Sequence, residues 1–87
     1  MINTPMLVHR AELPSGELED FEQTIRASGR DPTTFKAQMF EATLGEVGST
    51  LRRVHVYTQG AAVQYDASTG LPWTVNFAEH LARGLFG

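Results

Sequence analysis

Alternating apolar and polar positions over residues 51–67 predict a β-hairpin. Gln59-Gly60 separates the two alternating runs, and a glycine at the second position of a two-residue loop favours a type I′ turn. A two-residue loop fixes the register and places Arg53 opposite Asp66. The apolar face of this hairpin would carry Val54, Val56, Val63 and Tyr65.

A first helix is predicted over residues 16–28, where Phe21 and Ile25 recur at helical spacing. Ser15 precedes this segment and is a good residue for the N-cap position. Gly29 follows the segment, where a glycine commonly ends a helix. The segment is therefore expected to form an amphipathic helix with an acidic outer surface.

A second helix is predicted over residues 73–83 near the end of the chain. Trp73, Phe77 and Leu81 recur at every fourth position and form one apolar stripe. Gly84 stands where the helix should end in a left-handed residue.

The segment 33–44 supports two interpretations. Asp31-Pro32 is typical of a helix start, and the apolar residues after it fit one helical face. They also fit two alternating runs in opposite phase, which a β-bulge near Met39 would join. We predict a strand, because a third strand next to the hairpin would give the two helices a wider sheet to cover.

These elements predict an α+β fold of the order α-β-β-β-α, in which two helices cover one face of a three-stranded antiparallel sheet. The 87 residues are expected to form a single domain. Residues 1–14 show little periodicity and are expected to form a loose arm, in which Met6-Leu7-Val8 is a candidate edge strand.

Composition narrows the classes of function. The chain has no cysteine, which excludes disulfides, thiolate nucleophiles and cysteine-ligated metals. No apolar run reaches the ~20 residues of a membrane span, and the amino terminus lacks the pattern of a signal peptide, so a cytoplasmic protein without membrane contact is expected. The net charge of −3 argues against a broad phosphate-binding surface, which makes nucleic acid an unfavoured partner.

The polar face of the hairpin is the candidate binding face. Its residues are Arg53, His55, Tyr57, Gln64 and Asp66. A small-ligand or catalytic site on this face is a second alternative, whereas a half-solvated strand face is commonly polar only because it touches water. The histidines at positions 9, 55 and 80 have no metal-binding spacing, and no catalytic, metal or cofactor motif is found.

The predicted order α-β-β-β-α resembles that of double-stranded-RNA-binding domains, and this resemblance implies RNA binding as an alternative function. Those domains need basic residues that project towards the RNA grooves. The second helix here begins Trp73-Thr74 without a lysine, and the first helix is acidic. A non-enzymatic protein–protein interaction or regulatory role is therefore the leading hypothesis, with an unidentified protein or a second copy of the chain as the partner.

Overall fold

The computed structural model of this chain describes residues 6–44, 49–68 and 72–87, with side chains for residues 9–43, 51–68 and 72–87. The elements follow the order β-α-β-β-β-α. The strands are β1 (Met6–Ala11), β2 (Lys36–Leu44), β3 (Ser49–Tyr57) and β4 (Ala62–Asp66), and the helices are α1 (Ser15–Ala27) and α2 (Trp73–Ala82). The predicted α+β class is confirmed, but the sheet has four strands instead of three.

The sheet is antiparallel, and its strands lie side by side in chain order, β1-β2-β3-β4. The register predicted for the hairpin of β3 and β4 is confirmed, with Arg53 opposite Asp66. The N–H of Thr58 donates to the Ala61 carbonyl at 2.8 Å and closes the two-residue loop. The predicted type I′ turn is wrong, because that turn needs a positive φ at both loop residues and Gly60 does not have one.

Strand β1 corrects the predicted loose arm over residues 6–11, whereas residues 1–5 of that prediction lie outside the described residues. Met6–Ala11 pairs with β2 from Met6 opposite Leu44 to Ala11 opposite Met39. The nine residues of β2 would otherwise leave a long edge of backbone N–H and C=O groups without partners. The alternative that Met6-Leu7-Val8 belongs to an edge strand was therefore the correct one.

Strand β2 is confirmed for the segment that had two interpretations. The helix-start signal at Asp31-Pro32 produces only one 3₁₀ turn, Pro32–Thr34, in which the Asp31 carboxylate accepts the Thr33 N–H at 2.9 Å. The bulge expected near Met39 is absent, because β2 pairs with β3 without interruption along its length. Phe40 therefore lies on the opposite face of the sheet from Met39, which is buried.

Both helices agree with their predicted bounds to within one residue at each end. Gly29 and Gly84 follow them with φ of 82° and 77°, as a left-handed C-terminal residue requires. The expected N-cap is wrong, because Pro14 occupies that position of α1 and Ser15 is already helical. In the part of the chain that the structure describes, no helix has the length and apolar character to cross a membrane.

The core is an aromatic cluster centred on Phe77, whose side chain is fully buried. Its ring centroid lies 5.1–6.1 Å from those of five other rings. These rings belong to Phe21, Phe35, Tyr65, Trp73 and Phe86. Because they come from α1, the segment before β2, β4, α2 and the end of the chain, Phe77 joins most parts of the fold.

Replacing Phe77 should therefore have a large effect on stability. Phe77→Ala is expected to lower the free energy of unfolding by about 3–5 kcal/mol, because it removes a buried ring and leaves a cavity. Val75→Ala is the matched control, since Val75 is on the same helix and 56% exposed. Urea unfolding followed by circular dichroism measures both values; equal effects of the two substitutions would contradict the central role of Phe77.

Tyr65 connects β4 to α2 through a hydrogen bond of 2.7 Å between its hydroxyl and His80 Nδ1. Burial raises the pKa of Tyr65 from its ordinary value near 10 to about 12. Between these values the unfolded chain releases the tyrosine proton and the folded chain keeps it. Folding stability should therefore fall as the pH rises through this interval.

We expect Tyr65→Phe to remove this part of the alkaline loss. Each pKa unit corresponds to about 1.4 kcal/mol, so the difference is measurable by urea unfolding at a series of pH values. At neutral pH the substitution should cost only about 1 kcal/mol, the usual net value of one hydrogen bond. An equally steep alkaline loss in Tyr65→Phe and the unchanged protein would show that Tyr65 is not the group responsible.

Candidate functional site

The helices pack on one face of the sheet only. Met39, Val54 and Val56 point towards them and are buried. The alternate residues of each strand point the other way, where none of the described elements covers them. This open face, within the described side chains, consists of Arg10, Lys36, Gln38, Phe40, Ala42, Leu51, Arg53, His55, Tyr57, Ala62, Gln64 and Asp66.

The residues of the predicted binding face all belong to the open face. Those on β3 are Arg53, His55 and Tyr57, and those on β4 are Gln64 and Asp66. Each of these side chains is exposed or half-buried. The structure thus brings the five residues together on one surface, while their role in binding stays a prediction.

Phe40 and Arg10 are among the residues of this surface that sequence reasoning missed. Phe40 was missed because the expected bulge obscured the face to which it points, and Arg10 because β1 was not assigned as a strand. The alternation of Phe40 with Ala42 was the available signal, since it places both opposite to Met39.

Four residues form one row across the open face, and we call this row the arginine row. It runs from Arg10 on β1 through Phe40 and Arg53 to Asp66 on β4. Adjacent strands lie about 4.8 Å apart, so the two arginines start from backbone positions about 10 Å apart on either side of Phe40. Both arginines are exposed, whereas Phe40 is half-buried.

The Phe40 ring packs against a neighbour from the adjacent strand. The centroids of the Phe40 and His55 rings are 4.9 Å apart, with an angle of 56° between their planes. Tilted aromatic pairs of this kind are favourable by about 0.5–1.5 kcal/mol. The contact fixes an aromatic centre in the open face, next to the two arginines.

Asp66 does not form a close ion pair with Arg53, although the two are opposite in the register. Its carboxylate accepts the Ser68 N–H at 2.9 Å. Hydrogen bonds from Ser68 hold the pKa of Asp66 below its ordinary value, and the charge of Arg53 has a smaller effect in the same direction. The Asp66 carboxylate therefore bonds within its own turn, and the Arg53 guanidinium is left accessible.

The two arginines of the row also have no other close carboxylate in the part of the chain that is described. The Arg52 guanidinium pairs with Glu17 at 3.1 Å, and the His9 ring lies 3.9 Å from the Glu41 carboxylate. Neither pair includes Arg10 or Arg53. Both guanidinium groups are consequently free, within the described residues, to bind an external anion.

A second polar cluster lies on the helix side, around a surface cavity of about 440 Å³. Glu17 accepts hydrogen bonds from Arg52 at 3.1 Å and from Trp73 Nε1 at 2.9 Å. The Thr74 hydroxyl donates to Asp20 at 2.7 Å. These contacts connect α1, β3 and the start of α2. The polar groups of the cluster bond to one another, so the cluster is explained by the packing of the fold.

The three histidines lie in separate environments. His9 faces Glu41, His55 packs on Phe40, and His80 bonds to Tyr65. Among the residues that the structure describes, no group of three or more histidine, aspartate or glutamate side chains could hold a metal ion.

Comparisons with protein-family models, with curated proteins and with solved structures found no match for this chain. The resemblance to double-stranded-RNA-binding domains was based on an order of elements that lacks β1, so it now describes only part of the fold. The start of α2 is also in contact with carboxylates of α1, through Trp73 with Glu17 and Thr74 with Asp20. Any function must therefore be argued from the surface itself.

Proposed function

We propose that this chain is a non-enzymatic binding module that holds a partner protein on the open face of its sheet. The observation that carries the proposal is the combination of Phe40 and His55 in contact at the centre of this face with exposed arginines on both sides. Aromatic residues and arginine are enriched in protein interfaces and among the residues that dominate binding energy.

The apolar surface continues beyond the arginine row. Ala42 and Leu51 are opposite each other in the register, and the Leu51 side chain is 39% exposed. A mixed surface of apolar and charged groups of this kind is typical of interfaces that form and dissociate. The open face thus offers an apolar contact next to charged groups that can orient a partner.

Catalysis on this face has less support. His55 packs against an aromatic ring, and among the described residues its ring has no hydrogen bond to a carboxylate that would orient it as a general base. The described surface cavities with volumes of about 440–630 Å³ are lined by residues outside the arginine row, apart from Arg10 in one of them. Enzymes usually bind small substrates in concave pockets rather than on an open sheet.

Site-specific photo-crosslinking in the native cells tests the proposal. A photoreactive benzoylphenylalanine replaces Leu51 on the open face, and the matched control carries it at Val75, which is exposed on α2. After irradiation and nuclease treatment, the Leu51 position should give a discrete protein adduct and the Val75 position should not. Mass spectrometry of the adduct identifies the partner, and an adduct of twice the chain mass identifies a second copy.

Three results would contradict the proposal. Equal adducts from both positions would show that the open face is not preferred. An adduct from Val75 alone would place the partner on the helices. An adduct from Leu51 that disappears on nuclease treatment would favour the nucleic-acid alternative.

A further inference from the structure

We infer that the partner of the open face presents an acidic segment in which two carboxylates flank an apolar side chain. Arg10 and Arg53 would each bind one carboxylate, and the apolar side chain would pack on the Phe40 ring between them. This inference rests on the proposed function and adds the chemistry of the partner to it.

Positive charge is concentrated on the open face. The described side chains of the open face include three cations, Arg10, Lys36 and Arg53, and one carboxylate, Asp66. The whole chain has a net charge of −3, so the open face is a positive patch on an acidic protein. Complementary charge favours an acidic surface at this patch and disfavours a basic one.

The two arginines of the row are available to bind carboxylates. Their side chains are exposed, and in the described part of the chain neither takes part in an ion pair. A guanidinium group binds a carboxylate through two parallel hydrogen bonds, which fixes the orientation as well as adding affinity. Asp66, which is opposite Arg53 in the register, accepts the Ser68 N–H and forms no ion pair with Arg53.

The spacing within the arginine row matches that of a short peptide segment. Arg10 and Arg53 are on strands separated by β2, which places their backbones about 10 Å apart. Phe40 lies between them and is half-buried, so one part of its ring is held by His55 and another part faces outward. The row therefore matches a segment that presents an anionic group, an apolar group and a second anionic group in that order.

A single-stranded nucleic acid is the competing polyanion, since bases can stack on exposed aromatic rings. The charges favour the acidic protein segment. Affinity for nucleic acid depends on neutralising several phosphates, whereas the row offers two arginines, which match the two carboxylates of the proposed segment.

Fluorescence anisotropy with defined probes tests this inference. The first probe is a short labelled peptide in which glutamates flank phenylalanines, the second is its glutamine analogue, and the third is a labelled oligouridylate. The protein variants are Arg10→Gln and Arg53→Gln, and the matched control is Arg83→Gln, an exposed arginine after α2. Circular dichroism confirms that each variant is folded.

The glutamate peptide should bind, and Arg10→Gln and Arg53→Gln should each raise its Kd about tenfold, as expected for the loss of a charge-assisted hydrogen-bonded pair. Arg83→Gln should leave the Kd unchanged, and the glutamine peptide should bind at least tenfold more weakly. Equal binding of both peptides, no effect of the Arg10 and Arg53 variants, or tighter binding of the oligouridylate would each overturn the inference. If the peptide fails while the crosslink at Leu51 forms, the inference fails and the proposed function stands.

Discussion

The packing around Phe77 is the constraint on which the other features of the molecule depend. This ring touches aromatic side chains from α1, β4, the segment before β2 and the end of the chain. A chain of 87 residues can bury only a modest apolar area, so concentrating large rings at one point is an efficient way to stabilise it. As a result, both helices pack on the same side of the sheet.

The open face follows from this one-sided core. With both helices on one side, the alternate residues of the strands remain at the other surface. A solvated strand face needs only polar side chains, yet this one carries Phe40 in contact with His55 and an exposed Leu51. A partner on this face would remove the apolar groups of Phe40 and Leu51 from water.

The features predicted correctly from sequence are those specified by local signals. The hairpin register follows from the two-residue loop and the alternation around Val56, and each helix is defined by its apolar stripe and a following glycine. Two local details failed, the type I′ turn and the Ser15 N-cap, whereas the failures that changed the fold and the site depend on distant pairing. β1 has no distinctive pattern and is a strand because the edge of β2 accepts it, and the face of Phe40 depends on β2 pairing without a bulge. The candidate site was therefore half predicted, through Arg53 and His55 but without Arg10 and Phe40.

NMR spectroscopy of the isotope-labelled protein in nuclease-treated lysate of its native cells tests the central claim most directly. We expect the signals of Phe40, His55 and Leu51 on the open face to broaden or shift relative to buffer, whereas that of Val75 on α2 should not. Broadening confined to the helix surface, or an open face whose signals are the same in lysate and buffer, would contradict the claim that this face holds a partner protein.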